Sequence, residues 1–182
     1  CLSIGIPIYL SFGVFTAFAP EIATAIGMTV IPTVPDVMLF SSIGITLGDL
    51  VAGYISQKLK SRKKPLVGFI ILTAIICFSL TSGLITNYDV FLWSYGFLGL
   101  FAGYWACLIT TSAEQFGTNL RATVTTTIPN LIRASAIILV SSFIWLKELY
   151  SVQSALYILT TGTFIVAGLG VFYLKESFHT DL

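Results

Sequence analysis

Two ionisable side chains stand inside long apolar runs, Asp49 between Val37 and Ser56 and Arg133 between about Thr123 and Leu146. A charge held in hydrocarbon is costly, so each is a functional candidate by default. Burial raises the pKa of an acid and lets it exchange a proton near neutrality, which would suit Asp49 to proton or solute coupling. The other reading of Asp49 is structural, as a partner for backbone or for the basic stretch that follows it. Arg133 completes an i, i+4, i+7 series with Thr126 and Asn130, so the three share one polar helix face. A guanidinium fork suits a carboxylate or phosphate on a solute. Its alternative partner is a helix-end carbonyl or an acid from outside this chain.

The remaining charges gather outside the apolar runs. Lys58, Lys60, Arg62, Lys63 and Lys64 fall within Gly48 to Lys64, and Glu114 and Arg121 lie in a second polar stretch, Ser112 to Ala122. They read either as solvated loop charges or as a network that closes one end of a bundle. Tyr9, Phe12, Phe97 and Phe101 fall in the middle of apolar runs, where aromatics could stack on a ring-shaped solute or simply pack. Cys1, Cys77 and Cys107 are odd in number, with no C-x-x-C spacing, so neither a disulfide framework nor a zinc site is indicated. No H-E-x-x-H or G-x-S-x-G is present, so no enzyme and no cofactor is expected. No basic, aromatic-interleaved surface points to nucleic acid. His179 reads as a solvated tail residue.

These residues must be positioned by helices in a bilayer. The 182 residues are 56% hydrophobic and 9% charged, with a mean hydropathy of +0.95. That is too little polar surface for a soluble domain, and the expected class is an all-α, polytopic membrane protein. Six spans are expected in a single bundle over 1–182: Leu2 to Pro20, Val37 to Ser56, Leu66 to Ile85, Val90 to Thr111, Thr123 to Leu146 and Val152 to Leu174. Gly5, Pro7 and Gly13 are bends or close-packing points in the first, and Glu21 to Asp36 is an outer loop. Gly44, Gly48, Ala52 and Ser56 recur every four positions and make a narrow face for close helix approach, and Gly99-x-x-x-Gly103 makes a second. Pro129 would bend the fifth span, with Asn130 satisfying the carbonyl it frees.

Charge sets the expected orientation. Lys58, Lys60, Arg62, Lys63, Lys64, Arg121 and Lys175 fall on one side and Lys147 alone on the other, so the basic side and both chain ends are expected in the cytoplasm. The chain opens on Cys1 inside an apolar run without a Met, and an upstream portion is expected.

The basic stretch resembles a motif of the major facilitator superfamily of secondary transporters, G-x-L-a-D-r-x-G-R-k, in the form carried by its C-terminal six spans. Gly53, Ile55, Lys58, Arg62 and Lys63 match; Gln57 stands in place of the acid, Lys60 of the glycine and Ser61 of the first arginine. Ala113 to Thr123 is similar to the family's E-x-F-P-T-x-x-R-a-t turn, with Gly117 for the proline, and Tyr173 to Ser177 is similar to its P-E-T-x-G ending. The resemblance implies a major-facilitator-type half bundle in a bacterial inner membrane, partnered by the lipid bilayer, by the N-terminal six-helix half of the same transporter and by a small organic solute, a sugar or organic acid. It implies alternating access with proton coupling. On this reading Tyr9, Phe12, Phe97, Phe101, Thr126, Asn130 and Arg133 line a solute site, while Asp49, Gly53, Lys58, Arg62, Lys63, Glu114 and Arg121 serve coupling or gating. The alternatives are a non-transporting receptor or scaffold of six spans and a half-transporter that pairs with itself.

Overall fold

A computed structural model describes residues 1–116, 118–174 and 176, and among them every regular element is helical. Gly117, Lys175 and 177–182, with His179, lie outside the described residues. Helix α1 (Leu2–Tyr9) widens into π-helical turns over Leu10–Thr16, and α2 (Ala19–Ala25) follows. The remaining helices are α3 (Val34–Leu59), α4 (Lys63–Thr81), α5 (Tyr88–Ala102), α6 (Trp105–Glu114), α7 (Thr118–Leu149) and α8 (Val152–Tyr173). Five helical stretches, with α5 and α6 taken as one, are long and apolar enough to cross a membrane. The bent pair Leu2–Thr16 and Ala19–Ala25 makes a sixth if counted as one span. These helices fit an integral membrane protein.

Short polar side chains start the helices at the end opposite the basic stretch. Thr33 and Asp36 form a reciprocal capping box at the start of α3, where Pro35 needs no N–H partner. Asn87 Oδ1 accepts from the amides of Asp89 and Val90 at 3.0 and 3.3 Å, and Ser151 Oγ accepts from Ser154 N at 3.2 Å. At the basic end α3 stops where Lys60 takes a left-handed conformation with φ 46°. This is the position at which the resembled motif carries glycine, the residue that adopts this conformation at no steric cost.

The tightest packing in the bundle is between α3 and α5. The stripe Ser41, Gly44, Gly48, Ala52 and Ser56 is the buried face of α3, as its four-residue period requires. A methyl group on Gly44 would meet the carbonyl oxygen of Gly96, and one on Gly99 would meet that of Ser41, so the backbones touch without intervening side chains. Two apolar cores flank this crossing. One gathers Val14, Phe15, Ile22, Phe91, Tyr95 and Phe143, and the other, towards the basic end, Ile4, Ile8, Leu66, Tyr104, Leu108 and Ile132. Two buried tyrosines tie them to the first span, with Tyr95 Oη donating to Phe15 O at 3.0 Å and Tyr104 Oη to Ile4 O at 2.9 Å.

The structure corrects several expectations. Part of the expected outer loop is helical: Glu21 lies on α2, because Pro20 near a helix start is compatible with helix and does not end one. The first span bends by 68° between Thr16 and Ala19, well past Pro7. The fourth span breaks at Gly103–Tyr104, where Gly103 presses on Gly48 and leaves helical geometry with ψ 52°. Helix α7 is continuous across Pro129 over 32 residues, so the proline does not end the span. Pro129 frees the carbonyl of Thr125, but the Asn130 amide donates to Thr126 O at 3.0 Å instead.

Candidate functional site

Arg133 lies near the middle of α7, about 22 Å from either end at the helical rise per residue. Helix α7 is also the least buried of the spans, and Thr126, Asn130 and Arg133 are exposed on one side of it. Arg133 Nε donates to Tyr9 Oη at 3.3 Å, and its Nη1 reaches Asn130 Oδ1 at 3.5 Å. The guanidinium, Tyr9 and Phe12 line a cavity of about 220 Å³ with Ile8, Ile45 and Trp105. The Trp105 ring meets the Tyr9 ring edge-on at 6.0 Å. One wall is therefore aromatic and apolar, and its charge is a fork held by neutral groups. Thr126 is spent locally, donating to the carbonyls of Ala122 and Thr123 on its own helix.

Phe97 and Phe101 do not join this cavity. Phe97 lines an apolar cleft of about 300 Å³ on the outer side of α3 and α5, with Phe40, Ile43, Leu47 and Trp93. Phe101 stacks on Phe97 at 6.2 Å and meets Phe69 edge-on at 6.4 Å. Their phase on α5 follows from the glycines: with Gly96, Gly99 and Gly103 turned to α3, the bulky residues between them face elsewhere.

Asp49 accepts a hydrogen bond from Ala106 N at 3.0 Å on Oδ1, so a side chain of α3 caps the helix that restarts after the break at Gly103. Its carboxylate supplies the negative charge that a helix N-terminus favours. Asp49 and Gly53 line a further cavity, about 400 Å³, with Gln57, Arg62, Cys107 and Thr110.

Arg62 and Glu114 organise the basic end. Arg62 Nη2 lies 2.7 Å from Glu114 Oε1, and its Nε lies 3.1 Å from Oε2. The Glu114 carboxylate holds the Arg62 guanidinium above its ordinary pKa range, by hydrogen bonding first. Arg62 Nη1 donates to Ser56 Oγ at 3.1 Å, so the foot of the small-residue stripe is also part of this junction. From beyond the end of α8, Glu176 accepts from Ser61 Oγ and, at 2.7 Å, from the Arg62 amide. Lys63 Nζ donates to Leu174 O at 2.9 Å, where a cation suits the end of a helix. Lys58 is exposed on the last turn of α3. Arg121 is exposed near the start of α7 and joins none of these contacts.

Three partners escaped sequence reading as site residues: Ser61, Trp105 and Glu176. Ser61 and Glu176 sit in the basic stretch and the tail motif, and the excess of cations over acids there was a signal that a second acid was needed. The pair Lys147–Glu21, 2.7 Å apart at the other end, joins α7 to α2. Its signal was a lone cation and an acid expected on the same face of the membrane.

Fold and site together define a helical bundle of membrane-spanning type with one mid-helix arginine open to a surface cavity. Comparison with protein-family models, with curated proteins and with solved structures returns no match.

Proposed function

We propose that the protein is a secondary active transporter of a small organic solute, similar to the C-terminal six-span half of the major facilitator superfamily. The observation that carries this reading is Arg133: a guanidinium at the middle of the longest helix, on its open side, beside a cavity. Such a charge is not stable against lipid tails, and it is at home where a water-filled path or a second bundle covers it. The covering element is then the N-terminal half of the same transporter, and the solute binds between the halves near the bilayer midplane. The basic end faces the cytoplasm by the excess of Lys and Arg there. The Arg62–Glu114–Glu176 cluster at that end and the Lys147–Glu21 pair at the other are contacts of the kind that exchange as a transporter rocks.

Uptake of labelled sugars and organic acids into proteoliposomes holding the full-length protein tests the proposal. Flux is expected for the wild type, with a loss of roughly tenfold or more in Arg133→Ala and Asn130→Ala at equal membrane expression. A wild type that binds solute without flux would instead be a receptor or scaffold. Uptake unchanged in both variants would remove these residues from the site.

A further inference from the structure

We infer that the Arg133 cavity is a carboxylate site, selecting small organic monoanions over their neutral analogues; the inference rests on the transporter reading and narrows it to one solute class. A guanidinium keeps its charge in proteins, so at mid-helix in an apolar span Arg133 calls for an anionic partner. Its described partners, Tyr9 Oη at 3.3 Å and Asn130 Oδ1 at 3.5 Å, are neutral and distant for charge-assisted bonds.

Each described acid that could serve as a counter-charge is committed or sits elsewhere. Asp49 faces Ala106 N, Glu114 holds Arg62, and Glu176 holds Ser61 and the Arg62 amide. Glu21 pairs with Lys147, Asp36 caps α3, and Asp89 and Glu148 lie at the far ends of α5 and α7. The fork thus lacks an anionic partner among the described residues. Arg133 is also about 22 Å along the helix from its nearer end, in the middle of the apolar stretch.

The wall beside it specifies the rest of the ligand. Ile8, Phe12, Ile45 and Trp105 offer an apolar and aromatic surface to a carbon skeleton, while the Tyr9 hydroxyl can accept from or donate to a second oxygen. A polyhydroxylated sugar would leave hydroxyls unpaired against such a wall. A carboxylate in the fork with its carbon body on Trp105 leaves none.

Binding to the full-length protein in nanodiscs, read from Trp105 fluorescence with Trp93 and Trp145 changed to Phe, tests this. The probes are benzoate and propionate, each beside its amide, benzamide and propionamide. At least one acid is expected to bind roughly ten- to a hundredfold more tightly than its amide, the range for one charge-assisted bond pair. Arg133→Gln should erase that preference and Arg133→Lys should keep part of it, a pattern that a misfolded variant would not produce. Acid and amide binding alike, or neither binding, in the wild type overturns the assignment, and means that an acid from another segment neutralises Arg133. Uptake of a labelled neutral solute in that case leaves the transporter reading standing. Acid binding dependent on Arg133 without flux of labelled benzoate or propionate would sink transport and keep the site.

Discussion

Asp49 has one oxygen on the Ala106 amide, where a long span of this bundle is interrupted by a glycine packed on another glycine. Asparagine presents the same Oδ1 acceptor, whereas leucine presents none. Asp49→Asn is therefore expected to unfold within about 0.5 kcal/mol of the wild type in mixed micelles, and Asp49→Leu to lose about 1 kcal/mol or more, the usual worth of a cap. If the carboxylate instead serves by titrating, Asp49→Asn would abolish uptake without touching stability. Asp49 was legible as a residue under constraint because acids are rare in apolar runs. Its partner was not, since a backbone amide leaves no mark in the residue type at position 106.

The α3–α5 crossing sets the register of both helices. Gly44→Ala forces a methyl group against the Gly96 carbonyl, and overpacking of this kind costs about 1–3 kcal/mol. Gly68 on α4 has no atom within 4 Å of the corresponding methyl position, so Gly68→Ala is expected to be neutral or to stabilise by up to about 1 kcal/mol. Thermal unfolding of the two variants side by side checks the contrast, and equal losses would mean that the crossing is loose. The four-residue recurrence of small side chains from Gly44 to Ser56 made the α3 face readable. The break at Gly103 was not, because glycine is common in membrane helices and Gly99, packed as closely on α3, stays helical. The wide turns over Leu10–Thr16 were equally hidden, since Gly13 and Pro7 signalled a bend without saying where or of what kind.

Across the whole molecule, ion pairs lie at both ends of the bundle and none spans its middle among the described residues. Lys147 lies 2.7 Å from Glu21 and 5.1 Å from the Phe18 ring centre, so α7 is held to the first span at the end far from Arg62. The pair is half-exposed, and Lys147→Glu is expected to cost about 0.5–1 kcal/mol, with Glu21→Lys in the same chain restoring most of it. A double variant no better than the sum of its parts would show the contact to be incidental. The membrane class was legible from hydropathy, and the grouping of cations from their positions. Which faces turn outward was legible only in part: the polar series on α7 pointed to one open side, while the separation of Phe97 and Phe101 from Tyr9 and Phe12 depended on helix rotations that pairwise packing decides.

Apart from the Arg133–Tyr9 contact, which joins two side chains, three long-range polar contacts within the spans share a grammar. Tyr95 and Tyr104 grip main-chain carbonyls of the first span, and Asp49 grips a main-chain amide of α6. In each, one partner is a particular side chain and the other is backbone that every residue except proline supplies in full. Substitution can break such a contact from one side only. These tethers would therefore leave no paired substitutions in a set of related sequences, and a reconstruction of the bundle from correlated change would miss the bonds that bind its first helix to its centre.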